Sequence, residues 1–246
     1  MRLNGHTILI TGGTSGIGLA LAERFLAHGN DLIIVGRDSQ KLDNLRGKYP
    51  AIVVYQCDIS RNDEREKLVA VVREKHPKLN MLINNAGIQY QYSFPEGAAT
   101  EGCIREEIET NFLAPIDLCA KLLPVLQQHP EAAIINVSSG LGLVPKRSAP
   151  VYCGTKAGLH IFSKALRYQL EHSSVKVFEI IPPLVDTAMT AGHGQNRKKI
   201  SAERLADEFI YCFVRDKYEV PIGKIRLLQW MQRFLPYVAE RIMKNN

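Results

Sequence analysis

Residues 6–25 read HTILITGGTSGIGLALAERF, and the fold follows from how this stretch is taken. Its first part is a short apolar and β-branched run, its last part carries apolar residues at helical spacing, and Gly12, Gly16 and Gly18 stand between them as G-x3-G-x-G. Glycines between a strand and a helix permit a tight turn, let the backbone close on a pyrophosphate and aim the free N–H groups of the helix start at anionic oxygens. The plainer reading of the same glycines is a turn with no ligand.

The alternation continues outward along the chain. DLIIV at 31–35, AIVVYQ at 51–56, LNMLIN at 79–84, AAIINVS at 132–138 and VKVFEII at 175–181 read as strands. Between them lie helical patterns from about Gly16, from about Asp38, at 63–76, at about 100–128 and around Tyr152. Strands that are apolar on both faces and joined by helices predict a parallel sheet covered on both sides. The fold class is therefore α/β, a doubly wound parallel sheet of Rossmann type, as one domain over residues 1–246. No repeat, linker or low-complexity block interrupts it. The long irregular stretch at 182–199 reads as a lid over about 184–200.

A chain of 246 residues can bury about 70 to 75% of its unfolded surface, which is ample for a core without staples. Its five cysteines, Cys57, Cys103, Cys119, Cys153 and Cys212, have no paired or metal-type spacing, so they read as reduced thiols of a cytoplasmic protein with no metal centre. Cys153 beside Tyr152 is read as a packing residue rather than a reactive thiol. The start, MRLNGHTILITGG, resembles neither a signal nor a transit peptide, and no run of 18 apolar residues predicts a membrane span. Net charge is +6, and from Arg197 onward 11 Lys and Arg face 6 Asp and Glu. With no nucleic-acid module, that basic tail reads as a solvated face and no nucleic-acid partner is expected.

In open sheets of this kind ligands bind beyond the carboxyl ends of the strands, and the chemically interesting residues fall there. Gly36 and Arg37 follow the second strand. An acidic residue there would hydrogen-bond an adenosine ribose, whereas arginine suits a 2′-phosphate, so the pattern favours NADP(H). Asp38 has two readings, a ribose contact or the cap of the next helix. The third strand ends at CDIS (57–60), the fourth at NNAG (84–87) and the fifth at NVSSG (136–140), where Ser139 precedes Tyr152 by thirteen residues. On a helix Tyr152 and Lys156 would share a face about 5 to 6 Å apart at Cβ. Spacing alone does not single them out, because Tyr211 with Arg215 and Tyr237 with Arg241 repeat the interval.

Taken together, the glycine loop from Thr11 to Gly18, NNAG, Ser139, the Y-x3-K element Tyr152/Lys156, and Asn111 in EIETNFLAP resemble the short-chain dehydrogenase/reductase family over about residues 5–190. Wording such as GLGLVPKRSAPVYCGTKAGLHIFSKALRYQLE further resembles the branch linked to lipoteichoic-acid D-alanylation operons. The resemblance implies hydride transfer between NADP(H) and a small carbonyl or secondary alcohol, with Asn111, Ser139, Tyr152 and Lys156 catalytic. It also implies a cofactor site built from Gly12, Thr14, Ser15, Gly16, Ile17, Gly18, Arg37, Asp58, Ile59, Asn85, Gly87, Tyr152, Lys156, Val185 and Thr187, and a homodimer or homotetramer. Where the family has Pro-Gly after its sixth strand, this chain has Pro182 and Pro183, so that loop is expected to be stiffer.

Free tyrosine has a pKa near 10. Lowering it by about three units takes roughly 4 kcal/mol, the order supplied by a unit positive charge about 4 Å away at an effective dielectric near 20. Lys156 is expected to supply that charge, Ser139 to orient the substrate oxygen, and Asn111 to hold a proton-relaying water. Tyr90, Tyr92 and Phe94 read equally as cleft lining or as an extended surface segment. Lys146, Arg147, Arg197, Lys198 and Lys199 read as ordinary loop charge, with an anionic substrate as the alternative. Residues 224–246 form an amphipathic helical tail whose stripe, Leu227, Leu228, Met231, Phe234, Leu235 and Val238, is expected to pack on the core or a partner subunit; peripheral contact with an anionic membrane is the alternative. The rival reading of the whole chain is an NADP(H)-sensing regulatory protein without turnover, with a dehydratase or epimerase behind it.

Overall fold

The structure, a computed structural model, describes residues 1–97, 99–191 and 199–244. Its centre is a seven-stranded parallel sheet: β1 (Thr7–Thr11), β2 (Asp31–Gly36), β3 (Val53–Gln56), β4 (Leu79–Asn84), β5 (Ala132–Val137), β6 (Val175–Ile181) and β7 (Glu219–Pro221). They lie in the order β3-β2-β1-β4-β5-β6-β7, so the winding reverses between β1 and β4. β1, β4 and β5 are buried along their whole length. Such strands cannot show the alternation of a half-exposed sheet, which is why they read as continuous apolar runs.

Helices cover both faces. On one side α1 (Gly16–Ala27), α2 (Ser39–Lys48) and α7 (Ala202–Phe213) pack Phe25, Leu42, Leu45, Phe209 and Phe213 against Ile8, Ile10, Ile34 and Phe178. On the other, α3 (Asn62–Lys75), α5 (Ala114–Leu126) and α6 (Pro150–Gln169) pack Leu68, Val72, Leu118, Leu122 and Leu166 against Leu9, Ile33, Leu82 and Ile134. Burying a side chain of this kind contributes about 1.5 to 3 kcal/mol, so the two layers together hold the sheet.

The structure departs from the sequence reading in three places. A seventh strand, β7, escaped notice because three residues, one of them proline at a sheet edge, carry too little pattern. The helix expected at about 100–128 is α4 (Glu101–Ile108) joined to α5 by a π-helical turn at Glu109–Leu113. Finally, the tail is two helices, α8 (Ile225–Phe234) and α9 (Pro236–Lys244), broken where Pro236 ends the first, and its stripe is not packed as expected. Phe234, Leu235 and Val238 are exposed, while Leu228, Met231 and the partly exposed Leu227 line the cavity described below.

All five cysteines are free; Cys103 is half-buried and the other four are buried. Burial pushes the thiols of Cys57 and Cys119 up to about 12. Native protein is therefore expected to react quickly with Ellman's reagent at one thiol, lost in Cys103→Ser, and at all five after denaturation. Fast reaction at more than one native thiol contradicts this packing.

Candidate active site

The loops that follow the strands enclose a cavity of about 1200 Å³ at the carboxyl end of the sheet, opposite the reversal of strand order. Its walls include Gly12, Thr14, Ser15, Gly16, Ile17, Arg37, Asp58, Ile59, Asn85, Gly87, Ser139, Tyr152, Lys156, Val185 and Thr187. Two expected site residues, Gly18 and Asn111, are absent from that lining and stand behind it.

Gly18 explains how closely the loop is built. A Cβ there would lie 2.4 Å from the Gly12 carbonyl oxygen and 2.4 Å from Asn85 Nδ2, so no side chain fits. Asn85 Nδ2 donates to the carbonyls of Thr11 (3.0 Å) and Gly12 (3.1 Å), tying the end of β4 to the glycine loop. Ser15, at the head of α1, makes no side-chain cap, which leaves the first amides of that helix without a side-chain partner. An uncapped helix start behind a glycine turn, opening on a cavity of this size, fits the pyrophosphate of a dinucleotide.

At the next strand end Asp38 takes the second of its two readings, capping α2 by accepting from the Lys41 amide at 3.1 Å. Arg37 is exposed and its Nη1 sits 3.2 Å from Glu106 Oε1, while Tyr90 donates to the other oxygen of that carboxylate at 2.6 Å. Asp58 accepts from the amide (3.0 Å) and hydroxyl (2.7 Å) of Ser60, which shapes the turn after β3. Of the three aromatic residues at 90–94, only Tyr90 lines the cavity; Tyr92 is buried and donates to Glu107, and Phe94 is exposed.

The expected tyrosine and lysine lie at the floor. Pro150 opens α6 at a position where its missing N–H costs nothing. In its first turns Tyr152 and Lys156 are both buried, and the Ser139 side chain acts on the Tyr152 phenol. Ser139 is brought there by a 3-10 turn, Gly140–Gly142, that presses on α6: a Cβ on Gly142 would meet the Lys156 carbonyl carbon at 2.7 Å. The other two tyrosine and arginine pairs lie elsewhere: Arg215 stacks on the exposed Tyr211 ring, and Tyr237 is exposed on α9.

The expected electrostatics need correcting. Lys156 Nζ donates to the Val137 carbonyl at 2.8 Å and stands 5.8 Å from the centre of the Tyr152 ring. Burial pushes the Tyr152 phenol up to about 12, and it is the Ser139 hydroxyl that works the other way. Burial likewise brings the Lys156 ammonium down to about 8, opposed by the negative charges of Glu179 and Glu107. The phenol thus holds its proton at neutral pH, because desolvation outweighs a cation whose hydrogen bond points away from it.

Asn111 is held from behind the cavity. The π-helical turn places it in full burial, where its Oδ1 accepts from the Ile88 amide at 2.9 Å and its Nδ2 donates to the Ile88 carbonyl at 2.8 Å. Its amide thereby fixes the backbone after β4, and the same Nδ2 reaches Thr155 Oγ1 at 3.4 Å.

Sequence reasoning missed several neighbours of the site. Glu179, fully buried in β6, receives the Ser138 hydroxyl and pairs with His160 at 2.8 Å; Glu107 is equally buried under Tyr90 and Tyr92. An acidic residue inside VKVFEII was a signal available to a reader, since such a charge survives only with partners. Val185 is bridged to Ile200, and Thr187 opens a short 3-10 turn, Ala188–Thr190, as its capping residue. Lys146 lines the cavity, Arg147 is exposed outside it, and Lys199 is paired with Asp186 at 3.5 Å. Arg197, Lys198 and the part of the expected lid at 192–198 lie outside the described residues.

Comparison with protein families matches residues 6–198 to the short chain dehydrogenases. An uncharacterized oxidoreductase, DltE, of Bacillus subtilis is 42% identical over 233 residues, covering 93% of this chain and 92% of that protein. A short-chain dehydrogenase from Sphingobium yanoikuyae, solved in complex with NADPH, is 28% identical with a TM-score of 0.83 over 97% of this chain and 95% of that one. A short chain dehydrogenase from Burkholderia cenocepacia, in complex with NADP, shares the fold with a TM-score of 0.87 over the full length of both chains at 23% identity.

The depressed Lys156 pKa has a signed consequence for stability. Between about 8 and 10.5 the folded lysine has lost a proton that the unfolded one still binds, so the stability of the wild type rises with pH through that window. Chemical denaturation at pH 7 and pH 10.5 is expected to show wild type gaining up to about 3 kcal/mol relative to Lys156→Met. An unchanged difference would mean that the ammonium is not buried as described.

Proposed function

Because the chain belongs to the short-chain dehydrogenase family and is an oxidoreductase, we propose that it reduces the carbonyl of a small molecule with NADPH, Tyr152 acting as the proton donor. The observation that carries this reading is the convergence of Ser139, Tyr152 and Lys156, all buried, on the floor of a cavity whose rim is an uncapped glycine turn. A nicotinamide dinucleotide bound along that rim would supply the hydride.

What the residues themselves do follows from their surroundings. The buried phenol is protonated throughout the neutral range, so Tyr152 holds the proton that a carbonyl oxygen takes up on reduction. Ser139, whose side chain acts on that phenol, orients the same oxygen. Lys156, charged below about 8, presents an ammonium anchored on Val137 to the ribose side of the cavity, held positive by Glu107 and Glu179. Asn111 is a positioning residue acting through Ile88. Val185 and Thr187, fixed by the bridge and the capped turn, are suited to the carboxamide end of the dinucleotide, and Gly12 to Gly18 with Asp58 and Ile59 to its other end.

The NADP form rests on Arg37, which lines the cavity beside Gly36 where the 2′-phosphate would lie, with Lys41 near it. The guanidinium must leave Glu106 to meet it. A sensor without turnover is the weaker reading, because Ser139, Tyr152 and Lys156 are all present and assembled. For a homo-oligomer, the exposed Ile108, Leu113, Ile161 and Tyr168 around α4 to α6 supply an apolar face.

Purified protein screened with NADPH against aldehydes, ketones and quinones, followed by nicotinamide absorbance, is expected to turn over at least one class. Tyr152→Phe should lose about 10²-fold or more in kcat while NADPH still binds, read by nucleotide fluorescence; near-normal turnover would remove the tyrosine from the reaction. In the same titration NADPH should bind at least about tenfold more tightly than NADH, a preference that Arg37→Ala abolishes and Glu106→Gln increases. Equal binding of the two by the wild type refutes the reading of Arg37.

A further inference from the structure

The helices α8 and α9 are apolar on two sides. Leu227, Leu228, Met231, Ile242 and Met243 line one wall of the cavity, while Trp230, Phe234, Leu235 and Val238 look outward and remain between 44% and 58% exposed. Soluble monomers rarely leave so continuous an apolar patch in water. Nor is this a frayed end. Ile225 is buried beneath Gly140, Gln232 donates to the Leu143 carbonyl and Ala239 is fully buried, so the pair is anchored to the domain and its outer face is fixed.

We propose that this outer face docks on the surface of an anionic lipid bilayer. Charge decides among the occupants. Residues 224–244 carry Lys224, Arg226, Arg233, Arg241 and Lys244 against the single acid Glu240, and among the described residues none of the five cations forms an ion pair. On α8, Arg226 and Arg233 flank the Trp230 and Phe234 stripe, with the Arg233 guanidinium 5.5 Å from the Phe234 ring centre. A second copy meeting this face across a two-fold axis would bring the cations against themselves. A nucleic acid would neutralise them but offers no apolar phase for Trp230, Phe234 and Val238. A bilayer with anionic headgroups provides both layers at the depths the helices present them, with Trp230 and Tyr237 at the level where amphipathic rings settle. Among the described residues no helix is long and apolar enough to cross a membrane, so α8 and α9 lie in its plane. Because their inner side is a cavity wall, docking sets that wall against the lipid.

Flotation of the full chain with vesicles reads the docking without any turnover, so its outcome is independent of the reductase reading. Vesicles of phosphatidylglycerol and phosphatidylcholine in roughly equal parts should carry the protein at about 0.05 M NaCl at least about tenfold better than phosphatidylcholine alone, and should release it at about 0.5 M NaCl. Trp230→Glu with Phe234→Glu should abolish flotation while leaving the sedimentation mass and dinucleotide binding unchanged; Arg226→Glu with Arg233→Glu should do the same. The proposal is overturned if the wild type fails to float at low salt or if either double variant floats like wild type. It is equally overturned if the Trp230/Phe234 variant sediments as a smaller species, which would assign the face to a second copy.

Discussion

The molecule is organised by a gap that its sheet cannot close. β1 is flanked by β2 and β4, and the chain leaves β1 toward helices on one face and β4 toward helices on the other. Loops departing in opposite directions leave a crevice between them at the strand ends. Here its two lips are held at a fixed separation by one side chain, because Asn85 reaches from the end of β4 to the Thr11 and Gly12 carbonyls. The glycine turn and the uncapped start of α1 take their positions from that tie.

Burial sets the character of the floor. A tyrosine and a lysine withdrawn from water each resist ionisation, so the phenol is pushed up and the ammonium down. Two fully buried carboxylates, Glu107 and Glu179, offset part of that cost for the lysine, and each is stabilised by its own partners: Tyr90 and Tyr92 for the first, Ser138 and His160 for the second. The result is a protonated acid beside an ammonium that remains charged at neutral pH. The carboxylates touch neither Tyr152 nor Lys156 in the described contacts, and they act on them through the field alone.

The helices α8 and α9 extend this logic to the rim. Their inner residues complete the cavity, whereas their outer residues are apolar where a monomer in water would be polar. A stripe at helical spacing resembles any amphipathic helix facing its own core, and burial was the natural expectation. The break at Pro236 and the anchoring of Ile225 and Gln232 rotate the stripe so that only part of it faces inward.

Most of the architecture was legible in the chain. Fully buried parallel strands appear as runs of Val, Ile and Leu, and G-x3-G-x-G between a strand and a helix is a local pattern with local causes. Ser139, Tyr152 and Lys156 could be named only because, together with the glycine loop and NNAG, they match one family pattern. Their spacing recurs at Tyr211/Arg215 and Tyr237/Arg241, and the crowding that requires the glycines comes from residues such as Asn85 and Thr187 far along the chain. β7 and the π-helical turn were not legible: one is too short to carry a period, and the other shifts register without altering composition. The direction of each pKa, the commitment of Asn111 to Ile88, the pairing of Arg37 with Glu106 and the exposure of the α8–α9 face were decided only by tertiary structure. Each depends on which groups from distant segments exclude water or lend a partner, and spacing along a chain holds no record of that.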